Sequence, residues 1–384
     1  MKCIIYLSLF SIVAIHTCCQ ERTARIDSLL RTYYSDNEPG AAVIISRNNK
    51  TIFNKGYGLA NTQTREKINS STHFNIGSLT KQFTAFCIIQ LAEKKQLSLH
   101  DKLIKYFPGF NKKTGTLITI RQLLTHSSGI IDHYAFTDTS LIKHATDKDV
   151  LNAVKNTDST YFIPGSQYRY SNTAYCLLAM IIEKISGLSY NDYIKKNIFT
   201  PLSMTHSAVF QTGTPIYKSA SGYDYDSRNH TFSKLDADEA IFFSTEGDGG
   251  IYTSADEYIR WWRFLQKPGP GTKSIVQKVF SAQFMVDPVN RLSYGYGWFV
   301  SEKDKAKAVY HTGSNGGFRA IVFSVPSKNY MITIFSNRTG KDLEKMVQQI
   351  NSLLGVTNNS FTKTEAPVSF INSSPIFAPC KETI

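Results

Sequence analysis

Three separate motifs in this sequence carry side chains able to attack an acyl carbon and to move protons. The first is Ser78-Leu79-Thr80-Lys81, which opens an apolar stretch that runs to Glu93. Residues three apart on a helix lie on one face, so the Lys81 amine can approach the Ser78 hydroxyl. The free N–H groups and the positive dipole end of a helix start also lower the cost of forming an alkoxide. The motif therefore predicts a nucleophilic serine activated by lysine.

The second motif is Tyr170-Ser171-Asn172, which follows the chain break at Pro164-Gly165 and precedes a long apolar segment. This position predicts a loop at the start of a helix. A tyrosine there can relay a proton to or from the serine and the leaving group. Asn172 can donate a hydrogen bond to a substrate carbonyl or hold Lys81 in place.

The third motif is His311-Thr312-Gly313-Ser314, which we expect at the end of a strand and before the turn Asn315-Gly316-Gly317. A strand edge beside a nucleophile can bind a substrate backbone, and Gly313 allows that backbone to approach closely. The backbone N–H groups of Ser314 and Ser78 would together form an oxyanion hole.

Each motif alone also has an ordinary structural explanation. Ser-x-x-Lys recurs by chance, as in Ser140-Leu141-Ile142-Lys143, but no long apolar helix follows that copy. Tyr170-Ser171-Asn172 would serve as a helix cap, and His311 as a strand-end histidine. Further Thr-Gly pairs occur in Lys113-Thr114-Gly115 and Arg338-Thr339-Gly340. The prediction of a catalytic site therefore depends on the three motifs meeting in one cleft.

The hydrophobic pattern predicts the elements that position these motifs. Helices are predicted over the ranges 20–34, 79–93, 119–125, 147–156, 172–185, 254–266 and 341–354. Strands are predicted over the ranges 41–46, 51–59, 294–300, 307–311, 317–325 and 329–336. Strands from the two ends of the chain must share one antiparallel sheet if the ends are to meet.

This order of elements predicts an α+β fold, with an antiparallel sheet flanked by N- and C-terminal helices and a mainly helical lobe beside it. We expect a single catalytic domain over 22–356. Its α/β lobe would be built from 22–75 and 290–356, and its helical lobe from 76–289. A cleft between two such lobes is where small-molecule sites usually form.

The order and spacing of the three motifs resemble those of the serine β-lactamase and penicillin-binding protein superfamily. The likeness runs from about Ile26 to Leu354. Further stretches are similar to the class C-like branch of that superfamily: Thr119 to Gly129, Tyr168 to Tyr175, Pro201 to Met204 and Gly249 to Ser254. The resemblance implies a β-lactamase/transpeptidase-like fold. It also implies that Ser78 is the nucleophile, that Lys81 and Tyr170 share the acid and base work, and that Asn172 hydrogen-bonds within the site.

The third motif departs from the family pattern, because His311 stands where the family more often has a lysine. His311 is mostly neutral at pH 7 if its pKa is near the usual value of about 6.5, so a carboxylate would be anchored more weakly. If His311 binds a carboxylate as a cation, affinity for acidic substrates should improve below about pH 6.5. Similar sequences with histidine at this place include esterases, D-amino-acid-specific peptidases and penicillin-binding proteins. No acidic residue is assignable to deacylation, so Tyr170 would serve in both half-reactions.

These observations predict a hydrolase that works through a Ser78 acyl-enzyme. Its substrate would be a small molecule or short peptide with an amide, β-lactam or ester bond, and His311 favours a peptidase or esterase over an efficient β-lactamase. The alternative is a penicillin-binding or sensor-like protein that is acylated but turns over poorly.

The two ends of the chain are predicted to lie outside the fold. Residues 1–19 are typical of a signal peptide, because a positive start precedes the apolar run Cys3–Ala14, which is too short to span a bilayer comfortably. Cys18 and Cys19 follow in a loose match to a lipoprotein cleavage box. The sequence therefore predicts export, either to the periplasm or to a lipid anchor on the bacterial envelope. The polar segment 357–384 is expected to be a flexible tail.

The formal net charge of the chain is +13. The basic residues are scattered and no nucleic-acid-binding motif accompanies them, so we expect no nucleic-acid partner. A solvated basic surface explains the charge, with attraction to an anionic cell envelope as the functional alternative. Cys87 and Cys176 lie in apolar helical patterns and are expected in the core. The cysteine spacing indicates neither a disulfide framework nor a metal site, and no cofactor is expected.

Overall fold

A computed structural model describes residues 21–136, 144–236, 243–304 and 306–356 of the chain. The predictions made for 1–19, for Ser140-Leu141-Ile142-Lys143 and for 357–384 lie outside the described residues. Within these described ranges, no helix is both long enough and apolar enough to cross a membrane.

The main element of the fold is an antiparallel sheet of eight strands in the order β2-β1-β13-β12-β11-β10-β9-β8. Its strands are β1 Ala41–Arg47, β2 Lys50–Tyr57, β8 Phe284–Asp287, β9 Leu292–Tyr294, β10 Phe299–Ser301, β11 Ala308–Asn315, β12 Phe318–Val325 and β13 Tyr330–Ser336. The sheet thus takes in β8, which lies before residue 290 in the chain. Two smaller sheets are formed by β3 His73–Asn75, β7 Ile251–Ser254 and β4 Ala208–Val209, and by β5 Tyr223–Asp226 and β6 Thr231–Lys234.

The two ends of the chain meet in the main sheet, as the sequence predicts. β1 pairs with β13 so that Val43 lies opposite Ile334, and it pairs with β2 on its other side. The β1–β2 hairpin turns at Asn48 and Asn49, whose φ angles of 51° and 62° suit the tight turns that join twisted strands. β1 is buried along nearly its whole length because helices cover both faces of the sheet.

The helices lie on both sides of this sheet. They are α1 (21–33), α2 Thr80–Glu93, α3 Leu103–Tyr106, α4 Lys112–Gly115, α5 Ile120–Leu124, α6 Asp147–Val154, α7 Asn172–Ser186, α8 Tyr190–Ile194, α9 Ala255–Gln266, α10 Lys273–Val279 and α11 Leu343–Leu353. α1 and α11 pack on one face of the sheet through residues such as Ile26 and Met346. α2, α7 and α9 belong to the larger apolar cluster on the other face. The predicted α+β, antiparallel fold class is confirmed.

α2 and α7 are the helices that carry two of the three motifs. α2 is mainly apolar and is buried on all sides, as expected of a helix surrounded by protein, although its first two turns carry the buried polar residues Lys81 and Gln82. α7 begins after Ser171, whose side chain accepts a hydrogen bond from Ala174 N–H, and ends at Gly187 in the left-handed conformation. Cys87 and Cys176 are buried free thiols in these two helices, which agrees with their predicted place in the core.

Two strand predictions need correction. The predicted strand 294–300 is two short strands, β9 and β10, because the chain turns between them at Gly295 and Gly297. Gly297 has φ of 78°, and a Cβ there would lie 2.7 Å from the Lys81 carbonyl oxygen, so this turn packs directly on α2. The strand predicted over 307–311 instead begins at Ala308 and continues through the motif to Asn315.

Candidate active site

Ser78 and Lys81 lie together at the start of α2. A short 3-10 turn over Gly77–Leu79 carries the serine, and the α-helix begins at Thr80. Lys81 Nζ lies 3.0 Å from Ser78 Oγ. The lysine side chain has no exposed surface, whereas Ser78 is half-buried. The hydroxyl is therefore open to a ligand while the amine beside it is shielded from water.

Lys81 has two further hydrogen-bond acceptors, and both come from distant parts of the chain. Asn172 Oδ1 and the Asp248 carbonyl oxygen each lie 2.8 Å from Lys81 Nζ. Asn172 is the first residue of α7, and its Nδ2 donates to the Tyr134 hydroxyl over 3.3 Å. Because both acceptors are held by secondary structure or by the core, they fix the direction in which the amine points.

Tyr170 lies beside Ser78 and Lys81. Its ring centroid is 4.9 Å from Lys81 Nζ. Burial raises the pKa of the Tyr170 phenol, while the charge of Lys81 and hydrogen bonding to Lys81 and Ser78 lower it, with a net upward shift. Tyr170 is thus a neutral phenol at pH 7 that contacts both partners of the Ser78–Lys81 pair. The structure brings Ser78, Lys81, Tyr170 and Asn172 together in one crevice.

The third motif lies in β11, directly against the turn that carries Ser78. A Cβ at Gly313 would lie 2.1 Å from the Ile76 carbonyl oxygen, and a Cβ at Gly77 would lie 2.6 Å from Ser314 N. Side chains at these two positions would push the strand away from the turn. The glycines therefore allow the backbone N–H groups of Ser78 and Ser314 to lie close together.

One edge of β11 is open at this motif. β10 pairs with β11 only over Ala308–Tyr310, and no other strand of the described residues pairs with that edge beyond Tyr310. Thr312 and Ser314 also line a cavity of about 220 Å³, whose charged residues are Arg319, Lys341, Asp342 and Glu344. An open strand edge offers unpaired backbone groups to an extended ligand.

Comparison with known proteins decides which family this geometry belongs to. The family model described as Beta-lactamase matches residues 26–354. The chain belongs to the Beta-lactamase family. The resemblance carried by the three motifs is thus confirmed over nearly the range in which it was recognised.

The most similar relatives include a curated protein and two solved structures. Protein flp of Staphylococcus aureus is 30% identical over 318 residues, which are 82% of this chain but only 62% of that relative. The octameric penicillin-binding protein homologue from Pyrococcus abyssi has a TM-score of 0.73 and 26% identity, covering 90% of this chain and 77% of its own. The D-amino acid amidase from Ochrobactrum anthropi SV3 also has a TM-score of 0.73, at 19% identity. The likeness covers 86% of this chain and 99% of the amidase chain. The last likeness shows the fold alone. Family and fold are those of serine hydrolases.

His311 differs from the cation that many members of the family have at this place. Its side chain is 1% exposed, and burial, followed by the charge of Lys81, lowers its pKa to about 3. Nδ1 lies 2.6 Å from the Thr312 carbonyl oxygen, which only accepts, so Nδ1 carries the proton and Nε2 accepts from the Tyr294 hydroxyl at 3.0 Å. The buried ring, with both nitrogens hydrogen-bonded within the protein, argues against His311 binding a carboxylate as a cation near pH 6.5.

A second polar cluster lies behind Lys81. Ligand-type atoms of Asp147, Cys176 and Asp248 lie within 4.8 Å of one another, and all three residues are buried. Burial raises the pKa values of the Asp147 carboxyl and the Cys176 thiol well above their usual range, which disfavours the deprotonated forms that a metal binds. The two Asp147 oxygens already accept hydrogen bonds from the N–H groups of Glu246 and Gly247. The cluster therefore fits a hydrogen-bonded support for the Asp248 loop better than a metal site.

The sequence reasoning missed several groups of this site. The Asp248 carbonyl belongs to the backbone, and backbone groups leave no residue-type signal. Tyr134 and Tyr294 are isolated tyrosines without a motif of their own. His126 lies in the stretch Thr119 to Gly129, which was recognised as similar to the family but not connected to Tyr170.

Proposed function

We propose that this chain is a serine hydrolase that forms an acyl-enzyme at Ser78 and then hydrolyses it. The observation that supports this most directly is the 3.0 Å contact between Ser78 Oγ and Lys81 Nζ, an amine shielded from solvent beside a hydroxyl that is not. Neither group would be placed this way by packing alone, because a lysine is almost never fully buried unless it is paired.

Lys81 is proposed to be the general base, in its neutral amine form. A neutral amine has two N–H donors and one lone pair. Asn172 Oδ1 and the Asp248 carbonyl oxygen can only accept, so they take the two N–H groups. The lone pair then faces the Ser78 hydroxyl and can accept its proton as the oxygen attacks the acyl carbon.

Tyr170 supplies the second proton-transfer group. As a neutral phenol it can give its proton to the leaving group, while Lys81 holds the proton taken from Ser78. The phenolate that results is stabilised by the Lys81 ammonium 4.9 Å from its ring. In the second half-reaction the proton transfers are reversed. Tyr170 takes a proton from the attacking water, and Lys81 returns its proton to Ser78.

The backbone around the serine supplies the remaining parts. The N–H groups of Ser78 and Ser314 are proposed to bind the oxyanion, which their proximity across Gly77 supports. The open edge of β11 at Thr312 and Gly313 would pair with the backbone of an extended substrate.

The charges of the site favour substrates that are neutral beside the scissile bond. Burial lowers the pKa of His311 to about 3, so its ring is uncharged near neutral pH, and all three Lys81 contacts are occupied within the protein. We therefore propose esters and amides, including amides of D-amino acids, as the substrate class. The second candidate is a substrate with a free carboxylate. Arg319 and Lys341 favour it, since both line the cavity beside Thr312 and Ser314, whereas Asp342 and Glu344 on the same lining disfavour it.

A purified-protein turnover panel tests this proposal. The panel contains p-nitrophenyl esters, D-amino-acid amides, D-alanyl peptides and nitrocefin. Sustained release from neutral esters or amides is expected. Greater turnover of the carboxylate-bearing compounds, reduced by Arg319→Gln, would support the second candidate. Release of one equivalent of product, with no further release afterwards, would identify the slowly deacylating, sensor-like alternative.

A fluorophosphonate probe tests the nucleophile itself. Wild-type protein should be labelled, and Ser78→Ala should abolish the labelling. Ser140→Ala is the matched control, because Ser140 also lies three residues before a lysine, and this variant should label normally. Labelling that persists in Ser78→Ala would remove Ser78 as the nucleophile.

We also propose that the protein is exported and works in the bacterial envelope. The apolar run at the chain start and the two cysteines after it support this proposal. Fractionation of cells that express the full chain tests it, and radiolabelled palmitate incorporation that Cys18→Ser or Cys19→Ser removes would identify a lipid anchor.

A further inference from the structure

His126 contacts three consecutive residues of the loop that carries Tyr170. Its carbonyl oxygen accepts from Arg169 N–H over 2.8 Å, and its Nδ1 accepts from Ser171 N–H over 3.0 Å. Between these two hydrogen bonds, its ring stacks on the Tyr170 ring at a centroid distance of 4.2 Å and an interplanar angle of 29°. His126 thus contacts the residues on both sides of Tyr170 in the chain and also the face of the Tyr170 ring.

We propose that His126 is a positioning residue that fixes the Tyr170 hydroxyl against Ser78 and Lys81. This inference rests on the proposed function, in which Tyr170 transfers a proton. A tyrosine on a loop would otherwise be free to rotate about its side-chain bonds, and a misplacement of about 1 Å can cost about 100-fold in rate.

The structure around His126 holds it in one place. The residue has no exposed surface, and its φ of 55° lies in the left-handed region at the end of α5. Tyr294 packs edge-on against its ring at 4.6 Å, and Tyr175 lies at 5.1 Å. A non-glycine residue at positive φ persists only where its surroundings enforce it, which suits a rigid support.

His126 supports Tyr170 without exchanging protons itself. Burial lowers its pKa well below the usual range, and the nearby charge of Lys81 adds to this effect. Because Ser171 N–H donates to Nδ1, the single ring proton is on Nε2. The neutral ring therefore acts as a fixed acceptor and a flat packing surface, and it adds no positive charge beside the amine of Lys81.

Two substitutions separate the two contacts of the ring. His126→Phe keeps the stacking surface and removes the acceptor for Ser171 N–H, whereas His126→Asn keeps a short acceptor and removes the aromatic face. We expect the single-turnover rate of acylation by a D-amino-acid p-nitroanilide, whose leaving amine needs a proton, to fall several-fold in His126→Phe and at least about tenfold in His126→Asn. His206→Asn is the control, since His206 stacks on Tyr217 at 4.0 Å and 18°, away from the motif residues. Its acylation rate should equal that of wild type.

A double-mutant cycle with Tyr170→Phe decides whether the effect passes through Tyr170. In that background, the His126 substitutions should change the rate of acylation by the p-nitroanilide less than twofold. Full additivity of the two effects, with Ser78-dependent fluorophosphonate labelling intact, would overturn the role of His126 and leave the proposed function standing. If Tyr170→Phe alone does not slow acylation by the p-nitroanilide, Tyr170 is not the proton-transfer group, and the inference fails with it. Circular dichroism checks that each variant is folded, and either His126 variant alone completes the cycle.

Discussion

Asn172 Oδ1 accepts a hydrogen bond from Lys81 Nζ over 2.8 Å, and this contact joins the first residue of α7 to the first turn of α2. The same amide donates to Tyr134 through Nδ2, so its orientation is set from both sides. The amine beside Ser78 is thus aimed by a side chain that belongs to a different motif. Much of the chemistry proposed here depends on that alignment.

Replacing Asn172 by Leu should slow acylation of Ser78 by about 10- to 150-fold. The substitution leaves the buried amine with one fixed acceptor, and a hydrogen bond to the ammonium that forms as Lys81 takes the Ser78 proton contributes roughly 1.5–3 kcal/mol. The acylation rate is measured by stopped-flow with a p-nitrophenyl ester. Asn197→Leu is the control, because the Asn197 amide donates to the Tyr193 carbonyl away from these residues. An unchanged rate in Asn172→Leu would show that Lys81 needs no support from α7.

Lys81→Ala and Tyr170→Phe should each slow acylation by about 10²–10⁴-fold, the usual contribution of a positioned acid or base. The two effects should combine less than additively, because each group depends on the other to complete one proton relay. Single-turnover kinetics on the two single variants and the double variant provide the comparison. Near-normal rates in either single variant would contradict the role given to that residue.

Folding stability should fall as the pH is lowered from about 6.5 to about 3. The pKa of His311 is lowered to about 3 in the folded protein, whereas an unfolded histidine titrates near the usual value of about 6.5. The unfolded state therefore binds more protons in this window, and stability present above pH 6.5 is lost as the pH falls. Urea unfolding at several pH values measures how the free energy of unfolding depends on pH. His311→Gln should reduce this dependence, whereas His100→Gln, at an exposed position, should leave it unchanged.

The lowered pKa of His311 also predicts how substrate binding depends on pH. The KM of a carboxylate-bearing substrate, divided by that of its neutral analogue, should stay constant between pH 5 and pH 7, because His311 does not become charged there. A ratio that falls below pH 6.5 would mean that the ring is exposed to substrate in solution.

Gly313→Ala should abolish or strongly reduce labelling of Ser78 with only moderate loss of stability. The new Cβ would lie 2.1 Å from the Ile76 carbonyl oxygen and would push β11 away from the turn at Ser78. Overpacking of this kind typically costs about 1–3 kcal/mol. Gly109→Ala is the matched control, since a Cβ there meets nothing within 4 Å, and thermal unfolding of both variants gives the stability comparison. Normal labelling of a folded Gly313→Ala protein would contradict the close packing of the strand on the turn.

Most of the fold could be predicted from sequence because its long elements have strong periodicity or clear caps. α2, α7, α9 and the pairing of the first strands with the last ones follow from apolar runs and from turn residues such as Asn48 and Asn49. The short strands β3, β4 and β7 were not predicted. With two to four residues each, they carry too little pattern, and their existence depends on tertiary contacts.

The candidate site was predictable in its reacting groups but not in its supports. Ser78, Lys81 and Tyr170 stand in motifs whose spacing has a chemical meaning. The charge state of His311 could not be predicted from the sequence, since it depends on how deeply the ring is buried, which no local pattern reveals. The contribution of Asp248 was hidden for another reason, because any residue there would present the same carbonyl oxygen.

The position of β1 between β2 and β13 has a consequence for synthesis of the protein. β13 ends only twenty residues before the last described residue, Val356, since Ser336 closes the strand. A nascent chain must therefore keep the apolar β1 hairpin unpaired on one side until almost all of the domain has left the ribosome. Such an open strand is a site for unwanted association between chains. Premature termination before Tyr330 should thus yield an aggregating product, even though every motif residue is already present.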